Sequence, residues 1–157
     1  MYKVITYWEE DPIKVDSITS LNRKLWTDHI VWTRSAMISI MNNFSDVDSI
    51  GSRLIKNQDD ISADFKPYFY QDYVSQLSDL LKQHISIAGA IFKKQTNYTD
   101  LEIAWRGNGN DIVNILNSMN PVHWTISLLQ PIWSGHLDYT LAQMNSRLAN
   151  DWPADIS

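Results

Sequence analysis

Leu25-Trp26-Thr27-Asp28-His29-Ile30-Val31-Trp32-Thr33-Arg34 contains neither glycine nor proline and sits inside the longest helical pattern of the chain. Ile18, Leu21, Leu25, His29, Trp32, Ala36 and Ile40 follow one another at steps of three and four, the spacing that keeps side chains on one stripe of a helix. That stripe places His29 on a buried face, between two tryptophans. Trp26, Ile30, Thr33, Met37 and Met41 form a second stripe beside it, so this helix is expected to touch more than one neighbour. Two other segments repeat the arrangement: Leu77, Leu80, His84, Ile87, Ile91, and then Trp133, His136, Thr140, Met144. Three of the four histidines fall on core stripes.

Outward from that stretch, the pattern divides into helices joined by short connections. The first is expected from a cap at Asp16 or Ser17 to about Asn43, preceded by an arm over residues 1–15 in which Pro12 breaks any helix and Trp8 is a candidate anchor. A short helix opens at Ser45 or Asp46 and runs through Val47, Ile50, Leu54 and Ile55, with a break or a new cap expected at Gln58-Asp59-Asp60-Ile61 and the segment ending at Asp64-Phe65-Lys66-Pro67. A long one covers roughly 70–95. Another runs from about Leu101 to Met119 despite Gly107 and Gly109, each costing roughly 1 kcal/mol relative to alanine. Asn120-Pro121 closes it, because the residue before proline is pushed out of the helical region. A short helix with Trp124, Leu128 and Leu129 is then expected to give way near Pro131 to a last helix over about 132–150, ended by Pro153. No strand pattern competes. The expected fold is all-α, a single domain over residues 1–157 built as an antiparallel four-helix bundle with short accessory helices.

Bulk composition narrows the partners. Thirteen basic against 18 acidic residues give a net charge of −5, and no Lys/Arg run could neutralise a phosphate backbone, so nucleic acid is not an expected partner. No apolar stretch is long enough for a membrane span. The acidic and proline-interrupted opening segment lacks the apolar core of a signal peptide, which points to the cytoplasm. The absence of cysteine removes disulfides, thiolate metal sites and a cysteine nucleophile. No G-x-S-x-G elbow supports a hydrolase triad, and the two glycines at 107 and 109, without a preceding strand, do not make a phosphate loop.

Imidazole is the commonest neutral nitrogen ligand, and bundle interiors hold metals on inward side chains from facing helices. His29, His84 and His136 are therefore the candidate ligands of a divalent metal. Asp111 is the candidate carboxylate, since Ala104, Asn108, Asp111 and Ile115 share a helical spacing. Zinc is the first choice on geometry, with iron or nickel as alternatives. Read one at a time, each histidine is a buried polar group bonded to a neighbour, and that structural reading stands beside the metal one. Asn108, Trp32 and Arg34 are candidate small-molecule contacts. A guanidinium half-buried at position 34 needs an anionic ligand or a carboxylate, with Asp59, Asp60 or Asp111 as candidate partners. No catalytic residue can be named. Function divides between a metal-dependent enzyme or metal-binding protein and a non-catalytic bundle that binds a protein or small molecule. Spare apolar helix surface and the segments around Trp124 and Trp133 leave a homodimer open.

Leu25-Trp26-x-x-His29-x-x-Trp32-Thr33-Arg34, Arg53-Leu54-Ile55-x-Asn57-x-x-Asp60, Leu80-Leu81-x-x-His84, Asn120-Pro121 and His136-Leu137-x-x-Thr140 together resemble a family of small, mostly bacterial helical proteins. Some of its members are labelled acetylglutamate kinase or glycosyltransferase, activities that do not fit a helical bundle. The resemblance covers roughly residues 21–148. The family's Trp-x-x-Asn-Ala-Asp-x-Ile-Ala reads here as Trp105-Arg106-Gly107-Asn108-Gly109-Asn110-Asp111-Ile112-Val113, with Asn110 in place of the acid. More distantly, inward histidines on a four-helix bundle are similar in architecture to the DinB/YfiT superfamily, whose members often bind a metal through three histidines. Chain order and spacing differ from that superfamily.

Overall fold

A computed structural model describes the backbone of residues 12–156 and the side chains from Ser17 onward. The expected arm, with Trp8, lies largely outside the described residues. All regular structure among those described is helical: α1 (Pro12–Met41), α2 (Val47–Asp64), α3 (Gln71–Lys94), α4 (Thr99–Met119), α5 (Ile126–Leu148) and α6 (Trp152–Ile156). Each of α1 to α5 packs against the next in the chain, α1 also touches α3, and α6 folds back on α5. None of these helices is long and apolar enough to cross a membrane.

Three boundaries differ from expectation, each for a local reason. Pro12 opens α1 instead of barring it, since proline lacks an N–H that a first helical residue would leave unpaired anyway. Pro131 lies inside α5, so the short helix and its successor are one element; the cost is a single backbone hydrogen bond in the second turn. Helix α2 runs unbroken through Gln58-Asp59-Asp60-Ile61. Asn57 and Gln58 are fully buried there, Asn57 donating to Leu25 O of α1 at 3.0 Å and Gln58 Nε2 lying 3.2 Å from His29 Nδ1 of the same helix. Polar residues on a core face look like a break in sequence, but here they cross-link α2 to α1.

The core has two main layers. Leu25, Ile61, Leu77, Leu81, Ile112, Ile115 and Trp133 form one, and Met37, Ile91, Phe92, Trp105, Leu137 and Met144 the other. On α1 the buried line is Leu25, His29, Thr33, Ala36 and Met37, while Leu21 is 43% exposed and Trp32 half-buried, so the stripe slips sideways from the spacing read in sequence.

Both glycines of α4 lie inside one continuous helix, for different reasons. A Cβ at 109 would meet Leu137 Cδ1 at 3.4 Å, which makes that position a close approach between α4 and α5. At 107 a Cβ would meet nothing within 4 Å. Gly107→Ala is therefore expected to stabilise the fold by about 0.4–1 kcal/mol through lost unfolded-chain entropy. Thermal denaturation would show this as a rise in Tm of about 1–4 °C; an unchanged or lowered Tm would mean that the backbone there is not ordinary helix.

Candidate functional site

Near the middles of α1, α3 and α5, the three histidines come together. The His136 ring centroid is 5.7 Å from that of His29 and 5.9 Å from that of His84, so His136 bridges the other two. A separate short helix ending at Pro131 would have set His136 out of level; the continuous α5 carries it to the same height. His29 and His84 are 4% and 2% exposed, and His136 is half-buried.

Tryptophans wall the cluster. Trp105 stacks on His84 at 4.9 Å and donates its indole N–H to His84 O at 3.1 Å. Trp133 meets His84 and His136 edge-on at 5.5 and 6.0 Å, and Trp26 meets His29 at 5.8 Å. Desolvation by this apolar shell disfavours the imidazolium forms. Burial, with His136 close by, pulls His29 down to about 4. Burial takes His84 down to about 3 against the opposing Asn108 hydrogen bond, and it lowers His136 as well. All three rings are neutral at pH 7.

Hydrogen bonds fix where the protons sit. The Asn108 amide nitrogen donates to Leu80 O and Gln83 Oε1, each at 3.1 Å, which uses both of its hydrogens and turns its oxygen to His84. Asn108 Oδ1 lies 2.9 Å from His84 Nδ1, so Nδ1 carries the hydrogen and Nε2 keeps a bare lone pair. That Nε2 is buried with no hydrogen-bond partner among the described residues. His29 is held the opposite way. Gln58 Nε2 lies 3.2 Å from His29 Nδ1, and an amide nitrogen only donates, so Nδ1 is the bare atom and Nε2 carries the hydrogen. Two more buried oxygens, Gln58 Oε1 and Thr33 Oγ1, lack partners.

Of the residues singled out by sequence, Asn108 joins the cluster, but as a group that orients His84. Asp111 does not join it: it is exposed and lines a shallow groove with Gln76, Asp79 and Asn114, because the buried line of α4 runs through Trp105, Asn108, Ile112 and Ile115. Trp32 is also elsewhere, packed on Ala36, Leu54 and Ile85 beneath the Arg53 guanidinium at 5.3 Å; Trp26 is the tryptophan that meets His29. Arg34 is taken by a carboxylate, though none of the three expected: both its terminal nitrogens reach Asp155 of α6 at 2.9 Å. Thr140 donates to the backbone of His136 at 2.8 Å, and Asp28 pairs with Lys24 and Arg53, so neither orients an imidazole. Gln58 went unnoticed in sequence because it falls in the apparent break of α2. His123, the fourth histidine, is exposed in the connection after α4.

Among the described residues, no group of three or more His, Cys, Asp or Glu side chains is placed so that it could hold a metal ion. No protein-family model matches the chain, and no match is found among curated proteins or solved structures.

Proposed function

We propose that the chain is a metal-binding helical bundle in which His29, His84 and His136 hold one divalent ion, zinc by first preference. The observation that carries this reading is His84 Nε2: a buried lone pair without a partner, on a ring oriented from behind by Asn108 and flanked by a second imidazole. A hydrogen bond to the far ring nitrogen is how proteins orient ligating histidines. Two imidazoles on one tetrahedral ion at about 2.0–2.1 Å have centroids roughly 5–5.5 Å apart, and the separations of 5.7 and 5.9 Å here exceed that by a few tenths of an ångström. Holding one ion would require the rings to turn and all three to draw together. The bound ion would supply Lewis acidity, and three nitrogen ligands leave a coordination position for water or a small molecule. An antiparallel bundle of α1, α3, α4 and α5, with α2 laid against α1 and α3, is the arrangement this reading uses; the short connections and neighbour packing support it.

A second reading, a non-catalytic bundle with structural histidines, draws on the absence of a ready-made ligand set among the described residues. The exposed line Leu128, Ile132 and Tyr139 on α5 would then serve self-association. Metal content separates the two. Elemental analysis of protein purified without a histidine tag is expected to give one ion per chain after equilibration with zinc, and His84→Ala is expected to abolish it. Full occupancy in that variant, or none in the parent protein, would favour the structural class.

A further inference from the structure

The two fully buried histidines are poised in opposite tautomers, and the residue behind each decides how ready it is to ligate. Asn108 leaves His84 with a bare Nε2. Gln58 leaves His29 with its hydrogen on Nε2 and its lone pair turned away, toward α2. We propose that Gln58 is a positioning residue that restrains metal loading: His29 ligates only after its ring hydrogen moves from Nε2 to Nδ1 and the Gln58 amide turns over to accept it. This rests on the metal reading of the three histidines.

The surroundings of Gln58 account for the restraint. Its amide nitrogen lies 3.0 Å from Leu54 O, 3.1 Å from Asn57 Oδ1 and 3.2 Å from His29 Nδ1, three acceptors around two hydrogens, so the present orientation is well held. Its oxygen, by contrast, is buried without a partner. Turning the amide gives that oxygen the His29 Nδ1–H, but it removes a donor from Leu54 O and Asn57 Oδ1. Protons balance: one leaves Nε2 as the metal–nitrogen bond forms, one arrives at Nδ1, and none is released to solvent. Asn108 needs no such change, so the site loads first through His84.

A carboxyl group at position 58 would already offer an oxygen to His29 Nδ1–H, the arrangement that strengthens a histidine ligand. Gln58→Glu is therefore expected to bind zinc about 10- to 100-fold more tightly than the parent at pH 7, although the buried carboxyl lowers folding stability. A purely structural glutamine predicts weaker or equal binding in that variant, and such a result with a parent-like circular dichroism spectrum would overturn the proposal. Nitrogen-15 NMR of the parent protein provides a check that does not depend on the variant folding. Before zinc, His29 should carry its hydrogen on Nε2 and His84 on Nδ1; after zinc, both should carry it on Nδ1. A His29 hydrogen on Nδ1 in the metal-free protein overturns the proposal whether or not zinc binds, and so does an unchanged His29 tautomer on loading. Failure of zinc to bind, with His29 on Nε2, removes the metal reading and this restraint with it.

Discussion

Between pH 6 and pH 5 the metal-free protein is expected to lose about 2–4 kcal/mol of folding stability, an effect that comes from its buried histidines. In the unfolded chain each titrates near 6.5; in the fold His29 is pulled down to about 4 and His84 to about 3, with His136 also lowered. Below pH 6.5 the unfolded state binds protons that the folded state refuses, so stability is complete above that pH and falls as pH drops toward the folded values. Each histidine contributes a slope approaching 1.4 kcal/mol per pH unit, and down to pH 4 the first two alone cost on the order of 6 kcal/mol. Domains are typically stable by about 5–15 kcal/mol, so acid unfolding near pH 4–5 is expected. Urea denaturation at pH 7, 6 and 5 reads the slope directly, and His136→Gln should flatten it by up to one proton. A stability independent of pH over that range would show that the rings are not held neutral by burial.

Removing the carboxylate of Asp155 is expected to cost about 3 kcal/mol and to free α6. Its side chain is 1% exposed and takes both Arg34 nitrogens at 2.9 Å as well as Arg147 Nη1 at 2.5 Å, tying α1, α5 and α6 at one point. Gln143 donates to the Asp155 carbonyl, and Trp152 lies against Arg147 at 5.4 Å. Breaking a buried ion pair from one side costs about 3–5 kcal/mol because the partner charge stays behind. Here the lower end applies, since Arg34 and Arg147 keep 32% and 15% exposure. Asp155→Ala should lower Tm by roughly 5–10 °C and shift Trp152 fluorescence toward that of a free indole. A change under 1 kcal/mol would reduce the clamp to an ordinary surface pair. This pair does not explain the acid sensitivity: the Arg34 hydrogen bonds hold the Asp155 carboxyl below its usual range, so its contribution persists above pH 4 and is lost only further down.

What the sequence revealed, and what it hid, follows from the reach of each signal. Steps of three and four residues turned His29, His84 and His136 inward and put Asn108 on a buried line, because helical periodicity is a local property. The same periodicity misplaced Asp111, since a stripe read every three or four residues has no edge and a residue about 100° around the helix can still fit it. Asp155 stands 121 residues from Arg34, on a five-residue helix that has no period to detect. Gln58 was concealed by its polarity: a buried amide that pairs with another helix has the composition of a loop. Prolines at 12 and 131 looked like breaks, but the first falls at a helix start, where no N–H is needed, and the second sits inside α5, whose helix continues through it.

If three imidazoles share one ion, X-ray absorption on the zinc-loaded, untagged protein will count them. Three imidazole nitrogens at about 2.0–2.1 Å with one further light-atom ligand are expected, and two imidazoles in His136→Gln. A shell of oxygen ligands, or a spectrum unchanged in that variant, would contradict a shared ion.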